Sequence, residues 1–191
     1  MKYSELPSSV DLEKELKHER YKIRYKRTLK STVFALITAA AAAVLVATLW
    51  LPVLQIFGSS MTPTLQEGQI VVSVKVDEME PGDIVAFYYG NKVLVKRYIA
   101  GPGTWVEIQE DGTVLLDGEI LAEPYLTEKS LGITDLEYPY QVPDGHYFLL
   151  SDQRDTSVDS RHSSVGCIAK EQIIGKIVYR VWPLESFGTI N

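Results

Sequence analysis

Charged residues vanish from this chain between Ser31 and Gln66, and the stretch from Thr32 to Trp50 is almost wholly apolar. A helix over residues 31–50 is about 30 Å long, one hydrocarbon thickness. Its alanine-rich run, Ala39 to Ala43, leaves no polar face, which argues against a buried helix of a soluble protein. About thirty largely polar residues precede it, too many for a cleaved signal peptide. The pattern predicts one uncleaved transmembrane helix, with Trp50 at the far interface and Pro52 discouraging further helix. Upstream, Ser8-Ser9-Val10-Asp11 fits a capping box ahead of Leu12, Leu16 and Ile23. A charged cytoplasmic helix leading into the span is expected there.

After Pro52 the period changes. Short runs rich in Val, Ile and Tyr predict strands at 53–57, 69–76, 83–89, 92–99, 105–109, 113–116, 119–121, 147–150 and 176–182. Pro81-Gly82, Gly90-Asn91, Asp111-Gly112 and Asp117-Gly118 punctuate them, and the two Asp-Gly pairs are hairpin signals. No strands alternate with long helical patterns, which argues against a parallel βαβ fold. The expected class is mainly β: antiparallel or mixed sheets, barrel-like, with residues 122–144 as a long surface excursion. Three segments are then expected: 1–30, basic; 31–50, transmembrane; and 51–191, a β-rich domain.

The net charge of −6 over 191 residues hides an asymmetry. Residues 1–30 hold nine Lys/Arg against five Asp/Glu, and the remainder ten against twenty. Lys22, Arg24, Lys26, Arg27 and Lys30 border the apolar run, so the positive-inside rule keeps the N-terminus in the cytoplasm. The acidic remainder argues against a nucleic-acid partner. The single cysteine, Cys167, cannot form an intrachain disulfide and reads as a small buried residue. The His and Cys residues have no metal-site spacing, so no metal and no cofactor are expected.

Two segments bear on chemistry. Gly58-Ser59-Ser60-Met61-Thr62-Pro63-Thr64-Leu65 comes after the apolar run, and Val93-Leu94-Val95-Lys96-Arg97-Tyr98-Ile99 lies in a predicted strand. A serine hydroxyl is a poor nucleophile near neutral pH without a base, and lysine becomes a base when burial lowers its pKa. The pairing suggests a Ser-Lys hydrolase beside a bilayer. A Ser-His-Asp triad is the rival, with His146 and His162 available; His162 sits in a polar stretch and reads as a surface histidine.

The same segments, with Pro81-Gly82-Asp83, Gly101-Pro102-Gly103, the run from Ser151 to Arg161, Gly175-Lys176 and Arg180-Val181-Trp182-Pro183, resemble the bacterial type I signal peptidases of the Gram-positive-like kind. The resemblance covers roughly residues 31–183. It implies a membrane serine endopeptidase that removes signal peptides from Sec- or Tat-exported preproteins after small residues, at A-x-A sites. It implies that Ser60 attacks and Lys96 is the general base, with Ser157 orienting the lysine. Asp159 with Arg161, and Asp152 with Arg97, are implied as scaffold ion pairs. Gly58, Ser59, Met61, Leu65 and Val95 are implied around the oxyanion hole and substrate pocket, and membrane lipid is an implied partner. Gly58 stands where some relatives carry a serine hydroxyl as second oxyanion donor. That leaves Ser59, a backbone group or water for the role, and it predicts that Gly58→Ser is tolerated. Ser151 stands where glycine is frequent, a departure that bears on turn geometry. SOS-repressor-type peptidases share the Ser-Lys pair but lack the 31–50 span. A catalytically inactive membrane-anchored β module binding peptides or cell-wall partners is the alternative from another class.

Overall fold

The structure, a computed structural model, describes residues 9–190. The chain divides into two compact units, one ending at Trp50 and the other beginning at Leu51. The first is a single helix, α1 (Ser9–Trp50), 42 residues long. No glycine or proline interrupts it, and Pro52 lies just beyond its end. Ser8, the first residue of the expected capping box, lies outside the described residues. The charged and apolar stretches therefore share one continuous helix. Within the apolar stretch, Thr32 and Thr38 return their hydroxyls to the carbonyls of Thr28 (3.0 Å) and Phe34 (2.8 Å). This satisfies polar atoms inside the helix itself, as an apolar solvent requires. Phe34, Leu36, Ile37 and Val44 are exposed, and the helix is long and apolar enough to cross a membrane.

The second unit is built of short strands. They are β1 (Val53–Gln55), β2 (Ile70–Val74), β3 (Ile84–Tyr89), β4 (Lys92–Ala100), β5 (Trp105–Ile108) and β6 (Val114–Leu116). The rest are β7 (Glu119–Ile120), β8 (Tyr140–Gln141), β9 (His146–Leu150), β10 (Ile168–Ala169), β11 (Ile173–Trp182) and β12 (Gly188–Thr189). One sheet runs β1-β2-β11-β3-β4-β9-β10, with β12 added to β11; a smaller sheet runs β7-β6-β5-β8. The described pairings are all antiparallel. The expected mainly β class is the observed one. Asp117-Gly118 forms the two-residue turn between β6 and β7, with both residues at positive φ (50° and 86°), the geometry that favours Asp-Gly. Asp111-Gly112 instead belongs to a longer loop, where the Asp111 carboxylate accepts the Thr113 N–H at 2.9 Å.

Three apolar clusters hold the unit. Ile99, Phe148 and Leu150 pack against Val106, Ile108 and Val114 of the smaller sheet. Val85, Phe87, Tyr98, Tyr147 and Leu149 form a second cluster. Ile56, Met61, Leu65, Val71, Ile84, Ala86 and Ile177 form a third, with Val95 packed against it. β4 differs along its length in how it is paired. Its second half pairs on both sides, with β3 and with β9, but the β9 pairing begins at Arg97 opposite Leu150. Residues Lys92–Lys96 pair only with β3, which leaves their other edge open.

Candidate active site

The 58–65 segment is a tight turn pinned by its own side chains. The Thr62 N–H donates to the Ser59 carbonyl (3.0 Å) and the Leu65 N–H to that of Met61 (2.8 Å). Met61 and Leu65 are 2% and 0% exposed in the third cluster, so the turn is plugged into the core at two points. Ser60, beside Met61, is half-buried, and its carbonyl accepts the Gln153 N–H at 2.9 Å. The Ser60 N–H makes no hydrogen bond to any described residue.

Successive residues of a strand face opposite ways, and Lys96 and Arg97 use this to reach different partners. Lys96 is buried, and its Nζ donates to Ser151 Oγ at 2.8 Å. Burial, the largest influence, pushes its pKa below the usual lysine value, with Arg161 acting in the same direction and Asp159 and Asp152 opposing it. Arg97 forms a two-bond ion pair with Asp152, Nε–Oδ1 at 2.8 Å and Nη2–Oδ2 at 2.6 Å. The Tyr125 ring covers its guanidinium at 3.7 Å. Thr64 joins the same network, its hydroxyl donating to Asp152 and accepting from Arg97 Nη2 at 3.1 Å. This cluster ties the serine turn, the lysine strand and the segment after β9 together. Arg180 of β11 adds a bond to the Thr64 carbonyl at 2.9 Å.

A second buried pair sits behind the lysine. Arg161 holds Asp159 through Nε–Oδ1 (2.8 Å) and Nη2–Oδ2 (2.9 Å), and Asp159 Oδ2 accepts the Ser151 N–H at 2.9 Å. Arg154, paired with Glu123 at 2.6 Å, donates from Nε to the Ser151 carbonyl at 2.7 Å. Ser151 is thus clamped at both backbone groups.

A cavity of about 570 Å³ opens between the serine turn and the lysine strand. One wall is Val53–Gly58 with Ser60 and Met61, and the other is Lys92–Lys96. Ser60, Lys96, Gly58, Met61 and Val95 therefore share one cavity. Ser60 and Lys96 are not hydrogen-bonded to each other, since the lysine points its described bond at Ser151.

Leu65 and Ser59 fall elsewhere. Leu65 is buried beneath the cavity and does not line it, because the Met61–Leu65 turn aims it into the core. Ser59 is exposed and off the cavity wall. Ser157 is buried, but its hydroxyl makes no hydrogen bond with a described residue; only its carbonyl is engaged, by Arg161 at 3.5 Å. The histidines stand apart from the cavity. His146 Nδ1 pairs with the Asp144 carbonyl at 2.9 Å, and His162 lies 3.8 Å from Asp135. Cys167 is half-buried beside the Tyr140 hydroxyl, and burial raises its thiol pKa. Sequence reasoning passed over Ser151, Thr64, Tyr125, Glu123 and Arg154. Of these only Ser151 carried a signal, as a departure from glycine.

Comparison with known proteins points in one direction. The family described as Signal peptidase, peptidase S26, matches residues 29–182. Signal peptidase I of Bacillus amyloliquefaciens is 36% identical over 164 residues, which cover 79% of this chain and 84% of that protein. Signal peptidase IB of Staphylococcus aureus (strain COL) is 35% identical over 150 residues, 68% of this chain and 77% of the relative. A crystal structure of a signal peptidase I from Enterococcus faecalis V583 is 27% identical, with a TM-score of 0.43, covering 53% of this chain and 98% of that one.

Proposed function

This chain belongs to the signal peptidase family, peptidase S26, and from that premise we propose that Ser60 is its nucleophile and Lys96 its general base. The activity is that of a bacterial type I signal peptidase: a membrane serine endopeptidase that removes signal peptides from preproteins. The observation that carries the residue assignment is the shared cavity. Ser60 and a buried Lys96 of lowered pKa line the same 570 Å³ space.

Neutral Lys96 takes the Ser60 proton as Oγ attacks the scissile carbonyl. The C–N bond breaks, the departing amine takes that proton from Lys96, and an acyl-enzyme remains. Lys96 then takes a proton from water as the water oxygen attacks the ester carbonyl, and Lys96 gives that proton to Ser60 Oγ as the C–O bond to the serine breaks. The uncommitted Ser60 N–H supports its role as an oxyanion donor. The preprotein binds extended between the cavity walls, adding a strand to the open edge at Leu94–Lys96 and facing Leu54–Gly58. Small side chains such as alanine at the first and third positions before the cut fit this mode, because alternate residues of an extended peptide face the same wall.

The basic flank before Ser31 supports a cytoplasmic N-terminus (residues 1–30), a span over 31–50, and a catalytic domain outside (51–191). Its substrates then come from the Sec and Tat export routes, and lipid is the surface on which enzyme and substrate meet. Covalent labelling by an acylating lipopeptide inhibitor tests the dyad. Label on Ser60, lost in both Ser60→Ala and Lys96→Ala, is the expected result; label that survives in folded Lys96→Ala would overturn it.

A further inference from the structure

We propose that Ser151 is the positioning residue for Lys96 in this enzyme, its hydroxyl accepting an N–H from the amine and so aiming the nitrogen lone pair. This rests on the reading of Lys96 as general base. A neutral lysine has two N–H groups and one lone pair on a freely rotating nitrogen. A buried acceptor at 2.8 Å engages one N–H and restricts that rotation. Ser151 is 0% exposed, and both its backbone groups are committed, the N–H to Asp159 and the carbonyl to Arg154. The backbone is therefore fixed beside the lysine, and only rotation about Cα–Cβ could carry the hydroxyl away. A glycine at this position can make both backbone bonds but loses the Cβ together with its hydroxyl. Ser157 lies in the same segment but sends no hydroxyl bond to a described residue.

The charged groups acting on Lys96 are Asp159, Arg161 and Asp152, all on the segment after β9. They are retained when Ser151 is changed, so a change in the lysine's titration reports the hydroxyl. An acceptor favours the charged ammonium over the neutral amine. Removing it takes away one influence that opposes burial, while Asp159 and Asp152 remain, so the lysine's pKa falls further.

The experiment is the pH profile of kcat/KM for preprotein cleavage by the full-length enzyme in detergent. It compares Ser151→Ala, Ser151→Gly and Ser157→Ala with the parent, using circular dichroism and thermal melts as folding controls. Both Ser151 variants are expected to lose about 10-fold in plateau kcat/KM and to move the acidic limb to lower pH. Ser157→Ala is expected to leave that limb in place. A limb that stays put in the folded Ser151 variants, or one that moves with Ser157→Ala instead, overturns the proposal. Two independent Ser151 variants keep the test open should either fail to fold. Lys96→Ala runs alongside: residual cleavage there sinks the dyad itself. A dead Lys96→Ala beside unaltered Ser151 variants removes only the positioning role.

Discussion

Lys96 can accept a proton only when its amine is neutral, and burial is what makes neutrality accessible. Below the lowered pKa the amine is charged and idle, and above it the lone pair is free. Cleavage should therefore rise with pH through a midpoint below the usual lysine value, measurable as kcat/KM across pH. Lys96→Arg keeps a cation in the cavity but cannot lose its proton. No cleavage is expected from it in a folded protein, and strong residual activity would refute the base assignment. At Gly58 the backbone alters the expected tolerance. A Cβ there meets no heavy atom within 4 Å, yet the residue sits at φ +79°. Gly58→Ser therefore has room but strains the backbone, at a cost of about 1 kcal/mol. A lowered melting temperature should accompany any gain in rate from the new hydroxyl. The proposed nucleophile and base stood out in the sequence because each role needs a particular residue type in a particular setting. Leu65 lies off the cavity wall, and sequence adjacency alone does not say which side of a turn a residue faces. Ser151 was undervalued because a missing glycine reads as turn geometry until the hydroxyl's partner is seen.

At the level of elements, the open edge of β4 opposite the β1 wall is the feature that the proposed substrate binding uses. A substrate bound as an added strand donates and accepts backbone bonds at alternate residues. N-methylation of the peptide at successive positions before the cut should raise KM at every second position and spare the rest; a uniform effect would count against strand addition. The longer strands were readable because apolar residues and turn signals recur along them. β8, β10 and β12 were not, since two residues carry no period. A charged helix leading into the span was expected, but its unbroken run into the apolar stretch was not legible, for charge changes the solvent of a helix and not its hydrogen bonds. Within the second unit, the Arg97–Asp152 pair holds three segments at once. Asp152→Ala leaves a buried guanidinium without its carboxylate, a loss of about 3–5 kcal/mol. Chemical denaturation should show it as a lowered midpoint, with activity falling alongside.

For the whole molecule, the division of charge along the chain makes a topological prediction. Protease added to intact cells should degrade the part after Trp50 and spare the basic segment, with the reverse in inverted vesicles. Protection of the C-terminal part in intact cells would reverse the proposed orientation. A last consequence comes from the side-by-side placement of Lys96 with Arg97 and Ser151 with Asp152. A slip of one residue in β4 would either carry Arg97, a permanent cation, into the place of Lys96, or set Lys96 against Asp152, where the two-bond guanidinium fork and its tyrosine cover are lost. The arginine thus acts as a registration mark for the strand. A chain that folds out of register is unstable before it is inactive, so few copies persist that are assembled at the membrane yet unable to cut.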